Sequence, residues 1–228
     1  AKALQEHALE PIVVFAHTLR DDRISDDLYH LLEQKGADRI ACVINTTSFS
    51  IKPMGQEAQT NFIFERWQVP VIQAMMASAT LESWQEGLFG LSPTDIAMNI
   101  ALPEVDGRII TRPISFKKQL DKDALTDADL VVYEPHQAGC QWIADLAKRY
   151  IALGQKKNAE KKIALILPNY PNKDSRLANG VGLDTPQSAA AVLNALKAAG
   201  YTLDETANWN SAALMERLTQ HITNDLDT

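Results

Sequence analysis

Four short apolar runs limit the fold more than any other feature of the sequence: Pro11–Ala16, Arg39–Asn45, Val69–Ala77 and Lys162–Leu167. They are rich in Val and Ile and largely uninterrupted, rather than alternating with polar residues. Runs of that kind read as strands buried on both faces. Between them lie stretches with helical spacing. Ile24–Gly36 has Ser25, Asp26 and Asp27 as cap candidates. Gln56–Trp67 follows, then a helix opened by Thr80 and stopped at Gly87 or Gly90. A short helix starts at Ser92–Pro93. Gln137–Leu153 carries Ile143, Leu146, Ala147, Tyr150 and Ile151 on one stripe. Thr185–Ala199 is capped by Asp184 or Thr185, with Pro186 in its first turn and Gly200 after its end. Asn210–Ile222 is the last helix. Strands alternating with helices imply an α/β fold, a mostly parallel sheet flanked by helices on both faces in flavodoxin-like or Rossmann-like layers. Ile109–Phe116 is expected to be extended, and Asp121–Leu130 to be an acidic loop.

The 228 residues fit one α/β domain, with a weak subdivision expected near 118–129. At 46% hydrophobic and 22% charged, the chain has an ordinary globular composition. Its net charge is -7 and its pI about 5.2, so it lacks the basic footprint of a nucleic-acid binder. An anionic ligand would have to be met by local cations. Cys42 sits inside an apolar run and reads as a buried thiol. Neither it nor Cys140 belongs to a zinc pair or a disulfide framework. No run is long enough to span a bilayer. The polar first ten residues are not a signal peptide, no Met precedes them, and the chain is expected to be a piece of a longer cytoplasmic polypeptide.

In open α/β sheets ligands bind beyond the carboxyl ends of strands. The loops to watch there are His17 to Arg23, Asn45 to Pro53, Met75 to Thr80 and Asn169 to Asp184, and two stretches of the chain carry polar residues where a simple α/β domain would use short turns. In Leu102-Pro103-Glu104-Val105-Asp106-Gly107-Arg108, Glu104 and Asp106 stand two apart, with Arg108, Arg112 and Lys117 nearby. Carboxylates bind hard cations and accept protons, and the cations can hold carboxylate-bearing ligands. The same residues also read as an acidic turn with weak ion pairs. The second stretch, Asn169–Pro186, joins a strand to a helix and contains Gly180 and Gly182. Such joints usually take two to six residues. Neither a GxxxxGK[ST] nor a GxGxxG motif occurs, so nucleotide hydrolysis is not expected in this chain. His17 follows the first predicted strand and His136 precedes a predicted helix. Each can be a metal ligand or a helix-end residue.

These stretches resemble signature segments of the cobaltochelatase large-subunit family, and a related pattern occurs in the large subunits of magnesium chelatases. Leu102 to Arg108 with Ser115-Phe116-Lys117, and Asn169-Tyr170-Pro171 with Asn179 to Pro186, carry the resemblance. Asn45 to Phe49, Val69 to Gln73 and Gly90 to Asp95 support it. The resemblance runs from about Pro11 to Gly200, and its form leans to the cobalt branch. It implies part of a tetrapyrrole- and metal-binding subunit that takes Co²⁺ into a corrin precursor, or Mg²⁺ into protoporphyrin. It further implies two partner subunits, one an AAA+ ATPase that uses the ATP. On this reading Glu104, then Asp106, are the catalytic carboxylates. Glu104, His17 and His136 meet the metal. Arg108, Arg112, Lys117, Asn169, Asn179 and Asp184 hold the substrate. A scaffolding segment, or a small-molecule binding module, is the competing expectation.

Overall fold

The computed structural model describes residues 1–34, 40–52, 63–88, 90–123, 125–168, 178, 180, 182–203 and 209–220. The chain divides into two compact units, 1–154 and 155–228. The first contains a four-stranded sheet in the order β1-β2-β3-β4. Its strands are β1 (Val43–Asn45), β2 (Val71–Met76), β3 (Ile109–Gln119) and β4 (Val131–Pro135). β1, β2 and β3 run parallel, with Asn45 beside Gln73 and Ile72 beside Ile109. β4 runs antiparallel to β3, Phe116 opposite Glu134. The sheet is therefore mostly parallel, as the apolar runs imply.

β2 is the central buried strand, and its two-residue period sorts the layers. Ile72 and Ala74 face Ile143 and Ala147 of the long helix α7 (Gln137–Gln155). Val71 packs on the opposite face with Ile63 and Phe64 of α3 (Ile63–Trp67), joined by Leu28 of α2 (Asp22–Gln34). Helices thus cover both faces. Besides α1 (Lys2–Glu6), the unit holds α4 (Leu81–Glu86) and a helical run from α5 (Pro93–Ile96) through a π-helical turn (Ala97–Ala101) to α6 (Leu102–Glu104). Thr80 caps α4 and Ser92 caps α5 through their hydroxyls. α2 begins three residues before Ser25, because Ser25 is buried and gives its hydroxyl proton to the Leu19 carbonyl instead of capping. The stretch between Gln119 and Val131, where a subdivision was expected, is the connection of the β3–β4 hairpin.

In the second unit, α8 (Thr185–Ala198) starts at Asp184, whose carboxylate accepts the Gln187 N–H. α9 (Ser211–Thr219) starts at Asn210 in the same way. The Asn194 side chain clamps the Trp209 backbone at both its N–H and its C=O, which joins the approach to α9 to α8.

Two expected strands are absent. Residues 11–16 and 162–167 have no strand pairing, with Phe15 95% and Ile166 86% exposed. Their β-branched residues favour an extended chain, but a strand exists only where a neighbouring backbone accepts its hydrogen bonds. The expected starts at Arg39 and Gln56 lie outside the described residues.

Candidate functional site

The acidic turn after α6 splits into an inner and an outer half. Asp106 and Arg108 point inward, with both side chains fully buried and joined at 2.7 Å. Arg108 gives its Nη1 protons to the Thr47 carbonyl (3.0 Å) and Gln73 Oε1 (2.8 Å). Nη2 donates to the Phe49 carbonyl (3.0 Å) and to Asp106. The Phe64 ring lies 5.5 Å from the guanidinium. Burial pulls the Arg108 pKa below its ordinary value, and the charge of Asp106 opposes that pull. An arginine starts high enough to stay cationic at neutral pH regardless. Asp106 uses both oxygens: one accepts the Ser50 hydroxyl (2.6 Å) and the Lys52 N–H (3.1 Å), the other the Ile51 N–H (2.8 Å).

This pair fastens the loop that follows β1. The Thr47 carbonyl accepts three side-chain bonds, from Asn45, Gln73 and Arg108. Gln73 is 0% exposed and also receives the Asn45 amide at 2.9 Å. A second chain of bonds ties the loop to the helical run. The Ser48 hydroxyl donates to Asn99 Oδ1 (2.7 Å), and the Asn99 amide donates to Asp95. The Asp95 carboxylate in turn accepts the N–H and hydroxyl of Ser78, just past β2. π-Helical turns concentrate at functional sites, and this one carries the buried Asn99 inward.

Glu104 is the outer half. It ends α6, it is exposed, and its carboxylate has no partner among the described residues. Its backbone is nevertheless fixed, since its carbonyl accepts the Gly107 N–H at 2.9 Å. Gly107 has φ +72°, a left-handed turn that suits glycine and lets the chain reverse between Asp106 and Arg108. A bare carboxylate on a rigid mount can bind a cation or take a proton without first giving up a partner.

The remaining predicted residues fall elsewhere. Lys117 and His136 line one cavity of about 500 Å³, with Thr80, Glu82, Phe116 and Gln137 among its walls. The His136 ring meets Phe116 (5.5 Å) and Trp84 (6.3 Å) edge-on. Lys118, next to Lys117, is paired with Glu134 at 2.9 Å, and that bond raises its pKa. Arg112 lies over the Trp142 ring at 4.2 Å. His17 is exposed, three residues before Arg20, whose Nε donates to the Ser50 carbonyl at 2.8 Å. Asp184 is the α8 cap. Asn169 and Asn179 lie outside the described residues. No three His, Cys, Asp or Glu side chains converge among the described residues, so Glu104, His17 and His136 do not form one ligand set there. Burial raises the Cys42 thiol to about 11, which makes it inert at neutral pH.

The sequence reading missed Asn45, Gln73, Asp95 and Asn99 as site-building residues. A signal was present for two of them: Gln73 interrupts an apolar strand and Asn45 ends one, and polar groups buried in strands need partners.

The CobN/Magnesium Chelatase family model matches residues 1–228. The aerobic cobaltochelatase subunit CobN of Pseudomonas aeruginosa is 38% identical over 224 residues, which cover 98% of this chain and 17% of that protein. The H-type magnesium-chelatase subunit of Cereibacter sphaeroides is 26% identical, over 89% of this chain and 18% of its own length. The solved catalytic subunit of cobaltochelatase from Mycobacterium tuberculosis superposes with a TM-score of 0.74 at 30% identity, over 95% of this chain and 18% of that one. The chain thus spans less than a fifth of the relatives it matches. From the match over its whole length, together with these likenesses, the chain belongs to the CobN/magnesium chelatase family.

Proposed function

We propose that these residues are part of the tetrapyrrole- and metal-binding large subunit of a cobaltochelatase, which inserts Co²⁺ into a corrin precursor. The observation that carries the reading is Glu104, a carboxylate without a partner among the described residues, whose carbonyl is held by the Gly107 N–H and which is followed by the buried Asp106–Arg108 pair. Insertion must strip water from a divalent ion and remove two pyrrole N–H protons. One carboxylate can do both, ligating the ion and then accepting a proton. Glu104 takes that role. Asp106 was expected as a second catalytic carboxylate and Arg108 as a substrate cation. With the Asp106 carboxylate and both Nη groups of Arg108 engaged inside the protein, we assign both residues the positioning of Glu104 and of the loop 45–52. Lys117 and Arg112 remain candidates for the acidic arms of the macrocycle, as do His136 and His17 for handing over the metal.

ATP hydrolysis is assigned to an AAA+ partner subunit, acting with a second accessory subunit in the cytoplasm. The absence of a P-loop motif from this sequence agrees with that division of labour. The likeness to the H-type subunits of magnesium chelatases supports a second reading, insertion of Mg²⁺ into protoporphyrin.

The test is Glu104→Gln in the full-length subunit assembled with its partners and ATP. Metal insertion should fall about 10²-fold or more, while the unfolding midpoint stays at the wild-type value. Wild-type turnover in this variant removes Glu104 from the chemistry. It would leave a scaffolding role for the segment as the better reading.

A further inference from the structure

We propose that Phe49, with Arg20 beside it, is a stacking platform for the flat face of the macrocycle that Glu104 serves. This rests on the chelatase reading above and names the group that orients its substrate.

Five non-glycine residues among those described have positive φ: Ala8, Phe49, Gln68, Asp127 and Ala178. Phe49, at +64°, is the only aromatic among them. A bulky side chain costs energy there, and such conformations persist only where the surroundings over-determine them. The surroundings of Phe49 do so from both sides. Its N–H donates to the Met98 carbonyl at 2.8 Å, and its C=O accepts Arg108 Nη2 at 3.0 Å. The hydroxyl before it goes to Asn99 and the one after it to Asp106. All this holds the backbone, yet the side chain gains little burial, since Phe49 is 43% exposed. A residue strained to fill the core would be covered.

The same bonds fix where the ring is shown. The loop is fastened to Met98 and Asn99 before Glu104 and to Asp106 and Arg108 after it, so it lies along the segment that carries Glu104. The Arg20 guanidinium lies over one face of the ring, 5.7 Å from its centroid, held by its Nε bond to the Ser50 carbonyl, which leaves the opposite face as the platform. Its Nη groups have no partner among the described residues. A π-face next to a guanidinium fits a planar conjugated ring with carboxylate arms.

The test uses the full-length subunit and a metal-free corrin with free carboxylate arms, followed by absorbance and by quenching of protein fluorescence. Phe49→Leu keeps an apolar side chain and loses the π-face. Phe49→Gly relieves the backbone. Each should weaken macrocycle binding about tenfold or more, with unfolding midpoints no lower for Gly than for Leu, and Phe49→Trp should bind as wild type does. Arg20→Ala should weaken the free acid but not its methyl ester. Wild-type affinity in both the Leu and Gly variants overturns the platform while leaving the chelatase reading intact. No macrocycle binding by the wild-type subunit overturns both.

Discussion

Replacing Asp106 separates the two halves of the acidic turn. Asp106→Asn removes the counter-charge and leaves the Arg108 guanidinium cationic and buried. Breaking a buried pair on one side costs about 3–5 kcal/mol, because the remaining charge keeps its desolvation penalty. Urea unfolding should therefore show a large loss of stability for Asp106→Asn. Glu104→Gln should stay within about 0.5 kcal/mol, as exposed substitutions do. If the two variants were equally stable, the inward and outward assignment would be wrong. At this scale the sequence brought the right residues to notice but could not divide their labour. Glu104 and Asp106 are two apart in a turn, and spacing alone does not say which side chain meets the interior. The answer comes from Ser50 and Arg108, one of them more than fifty residues away.

Among the elements, α7 depends on a contact no periodicity reveals. A Cβ on Gly139 would lie 2.2 Å from the Pro113 carbonyl oxygen and 3.0 Å from His136 Nδ1. The first of these is backbone, so Gly139→Ala must lift the start of α7 from β3. Overpacking of this kind costs about 1–3 kcal/mol, which should lower the thermal midpoint and weaken the near-UV signal of Trp142. Gly154, near the other end of α7, has open space around its Cβ position, and Gly154→Ala should stabilise by up to about 1 kcal/mol. The same contrast separates what was legible from what was not. The caps Ser92 and Asp184 were readable, and the helix starts at Thr80 and Asn210 with them, because a cap is settled within three residues. The segments 11–16 and 162–167 were misread because pairing needs a distant backbone. β4 was missed for the same reason, since its partner is β3 and its own residues are all exposed. The π-helical turn at Ala97–Ala101 left no mark in composition.

For the molecule as a whole, the layered α/β class was legible because β1 and β2 lie in apolar runs that alternate with stretches of helical spacing. The division after Gly154 was not, as no proline- or glycine-rich linker marks it. Along its edge β4 shows Val131, Val132 and Tyr133 to water, and other greasy side chains such as Phe15 and Ile166 are uncovered too. Copies of this chain in a tube have two opposing tendencies, adhesion through those patches and mutual repulsion through a charge of -7. Acidifying toward pH 5.2 removes the repulsion and leaves the adhesion. Light scattering by the isolated 228-residue chain should climb steeply there, and a lysine introduced at Val132 should blunt the rise.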